Sequence, residues 1–182
     1  MAFGWEGELV RLVPLDDEKH LENALKWLND PEVTAGLLVG DLPLSRLAER
    51  EYFERQMRSP EKDVSFAMET LDGRHIGFSG IHNIDWRHGV AVTGSFIGET
   101  AEWGKGYGTD AAKVRSRYCF EVLGLRLLLS SHLDNNHRSA RMQAKAGYRE
   151  CGRIPKRYWR RGAYRDEIRT CLDRDTWTEL FG

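Results

Sequence analysis

The sequence predicts a mixed α/β fold built on a twisted, mostly antiparallel sheet whose fourth and fifth strands run parallel. Three observations lead there. Residues 63–98 hold three consecutive strand-like runs joined by tight-turn signals, the pattern of an antiparallel meander. The last of these runs enters a glycine loop that opens onto a helix, and a dense apolar strand follows, so a strand-helix-strand crossover makes its two strands parallel. The chain then closes with a helix and a hairpin, not with the repeated strand-helix units of a doubly wound sheet.

Taken in order, Glu8 to Pro14 alternates apolar and polar residues as a strand. Leu21, Ala24, Leu25 and Leu28 fall on one face of a helix that Asp30-Pro31 ends. A loop reaches Pro43, and Ser45 is the expected N-cap of a second helix, which closes near Ser59-Pro60 with a ragged apolar stripe. The meander strands are Asp63 to Leu71, His75 to Ile84 and Val90 to Gly98, with turns at Asp72-Gly73 and Arg87-His88-Gly89. A third helix spans about Thr109 to Leu123, with Ala111, Val114, Tyr118 and Val122 on its apolar face and Gly124 as its stop. Arg126 to Leu133 is the fifth strand, Asn136 to Ala146 the fourth helix closed by Gly147, and two last strands flank the turn at Arg160-Arg161-Gly162.

Composition excludes several classes of function. The 182 residues, 41% of them apolar, suffice for one core, so a single domain over 1–182 is expected. Lys and Arg number 27 against 28 Asp and Glu, interspersed, which argues against a general nucleic-acid binder. The cysteines Cys119, Cys151 and Cys171 are odd in number and lack Cys-x-x-Cys spacing; neither a disulfide framework nor a zinc site is indicated, Cys119 and Cys171 read as core residues, and a reducing cytoplasm fits. Met1 to Glu6 lacks the basic and apolar regions of a signal peptide, and no stretch approaches a membrane span, so a soluble, unprocessed chain is expected. His132 and His137 lack the helical spacing of a metal pair, and no metal is expected.

The segment carrying most chemistry is Trp103-Gly-Lys-Gly-Tyr-Gly-Thr109. Gly104, Gly106 and Gly108 let backbone amides approach a ligand closely, and the helix behind them adds unpaired N–H groups and the positive end of its dipole. A pyrophosphate is the expected guest. Lys105 does not make this a Walker loop, because Gly106 stands where Ser or Thr is required. Gly106-Tyr-Gly-Thr-Asp-Ala111 also fits a dinucleotide fingerprint, with Asp134 as a ribose ligand, but its setting between a meander and a hairpin speaks against that fold. Ser139 has no triad or nucleophile elbow around it. Arg157-Tyr-Trp-Arg-Arg161 reads as a solvated hairpin tip bordering an acceptor entrance, not as an RNA platform.

Together these segments resemble the GNAT superfamily of acyl-CoA N-acyltransferases, particularly the branch related to ribosomal-protein N-terminal acetyltransferases. The resemblance covers nearly the whole chain. The family's loop pattern, Gln or Arg, two residues, Gly, any residue, Gly or Ala, falls on Trp103, Gly106 and Gly108, with Trp103 departing from the polar first position. The family's Asn-x-x-Ser, with Lys-x-Gly-aromatic five residues later, falls on Asn136, Ser139, Lys145, Gly147 and Tyr148.

The resemblance implies fourth and fifth strands splayed to admit acetyl-CoA. Amides from Trp103 to Thr109, thus of Gly104, Lys105, Gly106, Tyr107 and Gly108 as well, would hold the pyrophosphate, and the strand edge at Phe96, Ile97 and Gly98 would pair with the pantetheine. Asn136 and Ser139 would bind coenzyme and assist the leaving thiol; the tyrosine many members use for this is replaced by Gln143. The family's usual base positions carry Val92 and Tyr158, leaving Glu99, Asp85, Asp166 and His82 as candidates. The expected reaction is direct acetyl transfer to a primary amine, a protein N-terminus or a small molecule, by an enzyme that can assemble as a homodimer. The alternatives are a non-catalytic acyl-CoA sensor and the dinucleotide binder.

Overall fold

The computed structural model describes residues 5–58 and 61–182; the expectations placed on Met1 to Gly4 and on Ser59-Pro60 lie outside these. The chain runs β1 (Val10–Pro14), α1 (Asp17–Leu28), α2 (Pro31–Thr34), α3 (Arg46–Met57), β2 (Val64–Thr70), β3 (His75–Asp85), β4 (Val90–Ile97), α4 (Tyr107–Arg117), β5 (Leu127–Leu133), α5 (His137–Lys145), β6 (Arg149–Arg160), β7 (Ala163–Asp173) and α6 (Arg174–Phe181). One seven-stranded sheet has the order β1-β2-β3-β4-β5-β7-β6. Every neighbouring pair is antiparallel except β4 and β5.

That parallel pair is the feature that positions the site. It matches only Val90 to Val92 with Leu127 to Leu129, and beyond those residues the strands part. Side chains close the base of the fork where the ladder stops: Ser130 Oγ donates to the Thr93 carbonyl at 2.9 Å, and Thr93 Oγ1 donates to the Leu129 carbonyl at 3.1 Å. These bonds satisfy backbone groups that a missing neighbour would leave orphaned.

Helices cover both faces of the sheet. Arg115 of α4 reaches Ser79 on β3, whereas the preceding Phe78 packs with Leu21, Ala24 and Phe53 of α1 and α3. Successive strand residues point to opposite faces, so α4 lies on one side and the α1–α3 pair on the other. The larger core gathers Val10, Leu12, Phe66, Met68, Ile81 and Leu128 with Ala111 and Val114 of α4. Each of these side chains larger than alanine, fully buried, contributes roughly 1.5–3 kcal/mol.

Several expectations shift, each for a local reason. The strand expected from Glu8 begins at Val10, because the Asp110 carboxylate accepts the amides of Glu8, Leu9 and Val10 and holds the chain there. Asn29 ends α1, and Asp30-Pro31 starts the short α2, with the Asp30 carboxylate accepting the Glu32 amide. The third predicted helix starts at Tyr107 instead of Thr109, and after Arg117 it passes into a π turn over Tyr118–Val122. That wider turn rotates Val122 off the apolar face into solvent and buries Cys119 and Phe120 instead. A sixth helix follows the hairpin, capped by the Asp173 carboxylate, where the sequence reading ended in strands. Cys119 and Cys171 are buried as expected.

Candidate active site

The fork opens into a cleft of about 930 Å³, bounded by the glycine loop, β4, β5, α5 and the segment joining α2 to α3. Its first wall is main chain. Gly104 and Gly106 take φ of +80° and +94°, a conformation open to glycine at little cost, and Gly106 caps α4 without any side-chain hydrogen bond. The first α4 bond is Asp110 N–H to the Gly106 carbonyl, so the amides of Tyr107, Gly108 and Thr109 have no partner within the helix and border the cleft. A Cβ on Gly104 would meet nothing within 4 Å, and one on Gly108 would touch only Met142 Cγ, at 3.5 Å, and Ile97 Cδ1, at 3.8 Å. Bare amides, a helix dipole and absent side chains suit a pyrophosphate.

The loop's side chains are turned to other partners. Lys105 Nζ sits 3.0 Å from the Glu102 carboxylate, which also takes Arg74 at 2.8 Å, and it stands outside the cleft. Trp103 donates its indole N–H to the Ile97 carbonyl at 2.8 Å, and the Arg138 guanidinium stacks 3.4 Å from its ring. Arg138, Arg141 and Lys145 share one face of α5 and line the cleft, a cationic stripe that the sequence reading passed over although its i, i+3, i+7 spacing was visible.

On β4 the register decides which amides face the fork. The Gly98 amide donates to the Ile76 carbonyl at 2.9 Å, so Gly98, and by alternation Phe96, direct their backbone groups to β3. Ser95 and Ile97 turn theirs to the open side. Of the expected pairing edge Phe96, Ile97 and Gly98, only Ile97 therefore faces the fork; Phe96 lines the cleft, and Gly98 packs closely, since a Cβ there would lie 1.9 Å from Trp27 Cδ2.

The second wall is made of side chains. Asn136 caps α5 by accepting the Ser139 amide at 3.0 Å and donates to the Gly36 carbonyl at 3.0 Å, so both ends of its amide are engaged. Ser139 Oγ accepts from Gln143 Nε2 at 3.1 Å, which leaves the hydroxyl its own proton to donate into the cleft. Gln143 is buried and fixed in turn by the Ser131 carbonyl and Thr170 Oγ1.

Of the four candidate bases, His82 alone lines the cleft. Glu99 pairs with Lys26, Asp85 with His88, and Asp166 with Arg153, all outside it. His82 lies across the β3–β4 ladder from Val92, and its ring folds back over Gly80, where a Cβ would come within 2.3 Å of Nε2. The cross-strand partner Gly94 has open space on its side-chain face, so two glycines leave a notch beside the imidazole. Burial holds the His82 pKa below the ordinary 6.5, the Arg115 cation adds to this, and Asp63, 3.5 Å from Nδ1, opposes it. Tyr158 stays out of the cleft on β6.

Sequence reasoning missed two buried charges that line the cleft. Arg115 donates from Nη1 to Ser79 Oγ, the Gly94 carbonyl and Ser95 Oγ at 2.9–3.1 Å, tying β3 to β4. Glu49 on α3 is 5% exposed, and burial pushes its carboxyl pKa up. The hairpin tip also differs: Arg160 is buried, donating to the carbonyls of Thr34, Leu37 and Val39 and pairing with Asp41, so it anchors the cap of the cleft instead of being solvated.

A parallel fork beside a glycine-capped helix defines an acyl-CoA-binding transferase, and the comparisons agree. Residues 10–149 match the model of the acetyltransferase (GNAT) domain. The chain belongs to the GNAT acetyltransferases, enzymes that use acetyl-CoA and act on amine acceptors. Its fold is similar to spermidine N-acetyltransferase from Vibrio cholerae, solved with CoA and spermine, with TM-score 0.84 and 18% identity over 93% of this chain and 98% of that one. It is also similar to a GNAT-family acetyltransferase from Bacillus anthracis, with TM-score 0.79 and 17% identity over 93% and 98% of the two chains. No curated protein sequence gives a match. Among the described residues no helix is long and apolar enough to cross a membrane.

Proposed function

We propose that residues 1–182 act as one domain transferring the acetyl group of acetyl-CoA directly to a primary amine, a small molecule or a protein N-terminus, at the notch beside Gly94. The observation that carries this reading is that β4 and β5 part at Val92 and Leu129 beside a helix whose first amides are unpaired. The amides from Gly104 to Thr109 hold pyrophosphate, with Lys105 taking part through its backbone only, and the edge at Ser95 and Ile97 pairs with the pantetheine amides. Acetyl-CoA supplies an activated thioester. An alkylamine near pKa 10 must lose a proton before it attacks. His82, held neutral at pH 7 by burial, takes that proton at a ring nitrogen as the C–N bond forms and the C–S bond breaks. Ser139 donates a hydrogen bond to the departing sulfur, Gln143 orients Ser139, and Asn136 supports it as the helix cap.

Thiol release measured with a panel of primary amines and N-terminal peptides tests the proposal. The expected result is amine-dependent release of CoA with one acetylated amine per thiol. Coenzyme binding without release for any amine would favour the sensor instead.

A further inference from the structure

Glu49 is the sole acidic residue among the described residues lining the cleft, and no cation is paired with it. It sits in the first turn of α3, whose N-cap is Ser45, and the cleft it lines also holds the apolar Leu37, Leu42, Leu44, Tyr52 and Phe78. The cap segment that covers this half also presents Leu38, Val39 and Leu42 to solvent at 38%, 58% and 81% exposure. These exposed apolar groups border the cleft, where an apolar ligand group would take them out of water. A buried carboxylate without a partner is costly, and its cost falls when a cation arrives. The other charged side chains of the cleft, Arg115, Arg138, Arg141 and Lys145, are all cationic.

We infer that Glu49 receives the acceptor's single amine as its ammonium on entry, before His82 takes the proton for attack, and that the acceptor carries this one positive charge and an apolar, ring-sized substituent, which borders the leucine-rich cap. This rests on the acetyltransferase reading and narrows its substrate. A polyamine is a poor fit, because its additional ammonium groups would lie among leucines or beside arginines with no carboxylate to receive them. An apolar substituent, by contrast, removes the exposed leucines of the cap from water.

The test is calorimetry with 2-phenylethylamine and with spermidine, on CoA-loaded and on coenzyme-free protein, for the native chain, Glu49→Gln and Glu49→Asp. The native protein is expected to bind 2-phenylethylamine at least tenfold more tightly than spermidine. Glu49→Gln should weaken that binding at least tenfold, with partial recovery in Glu49→Asp and with CoA affinity unchanged. The thermal midpoint of Glu49→Gln should not fall, since the variant removes an unpaired buried charge; a merely structural residue would lower it. Equal binding of 2-phenylethylamine to the native protein and Glu49→Gln, or preference for spermidine, overturns the inference. Failure of CoA to bind would instead sink the acetyltransferase reading, while the coenzyme-free titration still decides the anchor.

Discussion

The two halves of the cleft are built by different means. The half proposed for the coenzyme is main chain, drawn from the contiguous run Ser95 to Thr109, with amides that glycines expose and a helix start leaves without a helical partner. The half proposed for the acceptor is side chain, with Glu49 on α3, His82 on β3 and a cap loop held by Asn136 and Arg160. The difference separates binding common to a family from selection particular to one chain. Backbone amides recognise a phosphate whatever the neighbouring side chains are, whereas one carboxylate among leucines selects by charge and shape.

The largest effect should come from filling the main-chain half. Gly108→Val is expected to weaken acetyl-CoA at least a hundredfold in calorimetry, because its methyls enter the cradle. Its thermal midpoint should move little, since the Cβ itself meets only ordinary contacts and Gly108, unlike Gly106, has no positive φ. Next is His82→Gln, expected to lower kcat by about a hundredfold, within the usual range for a general base, with acetyl-CoA affinity retained. Because burial depresses the imidazole pKa, the neutral, active form persists below pH 6.5. The acid limb of the native kcat profile should therefore lie below that value and vanish in the variant.

Ser139→Ala is expected to lower kcat by about tenfold without shifting the thermal midpoint, as Asn136 and not Ser139 caps the helix. A fall in stability of about 1 kcal/mol with unchanged kcat would assign Ser139 a capping role instead. The smallest effect belongs to Lys105→Ala, at most about threefold on acetyl-CoA affinity, since its ammonium pairs with Glu102 outside the cleft and is worth little there. A larger loss would blur the contrast between the halves.

The same contrast explains what the sequence made legible. Gly104, Gly106 and Gly108 declare a backbone motif within five positions, and the order of strands around them fixes the parallel pair. Asn136 and Ser139 are legible through the Asn-x-x-Ser pattern that the segment shares with the family it resembles. Glu49 was not, since one glutamate in a charged, ragged helix looks solvated, whereas in the fold it is 5% exposed and lines the cleft. Nor was Arg160, whose partners at Thr34, Leu37 and Val39 lie more than a hundred residues away in the chain. The misplaced edge at Gly98 has the same origin: strand alternation is readable, but which alternate amides face the fork depends on the partner strand's register.

Calorimetric titration of acetyl-CoA into Gly108→Val and Glu49→Gln, side by side with the native chain, tests this division most directly. The account predicts at least a hundredfold weaker binding for Gly108→Val and affinity within about twofold of native for Glu49→Gln, at the scale of a remote, uncoupled site. Comparable losses in both variants, or a loss confined to Glu49→Gln, would contradict it.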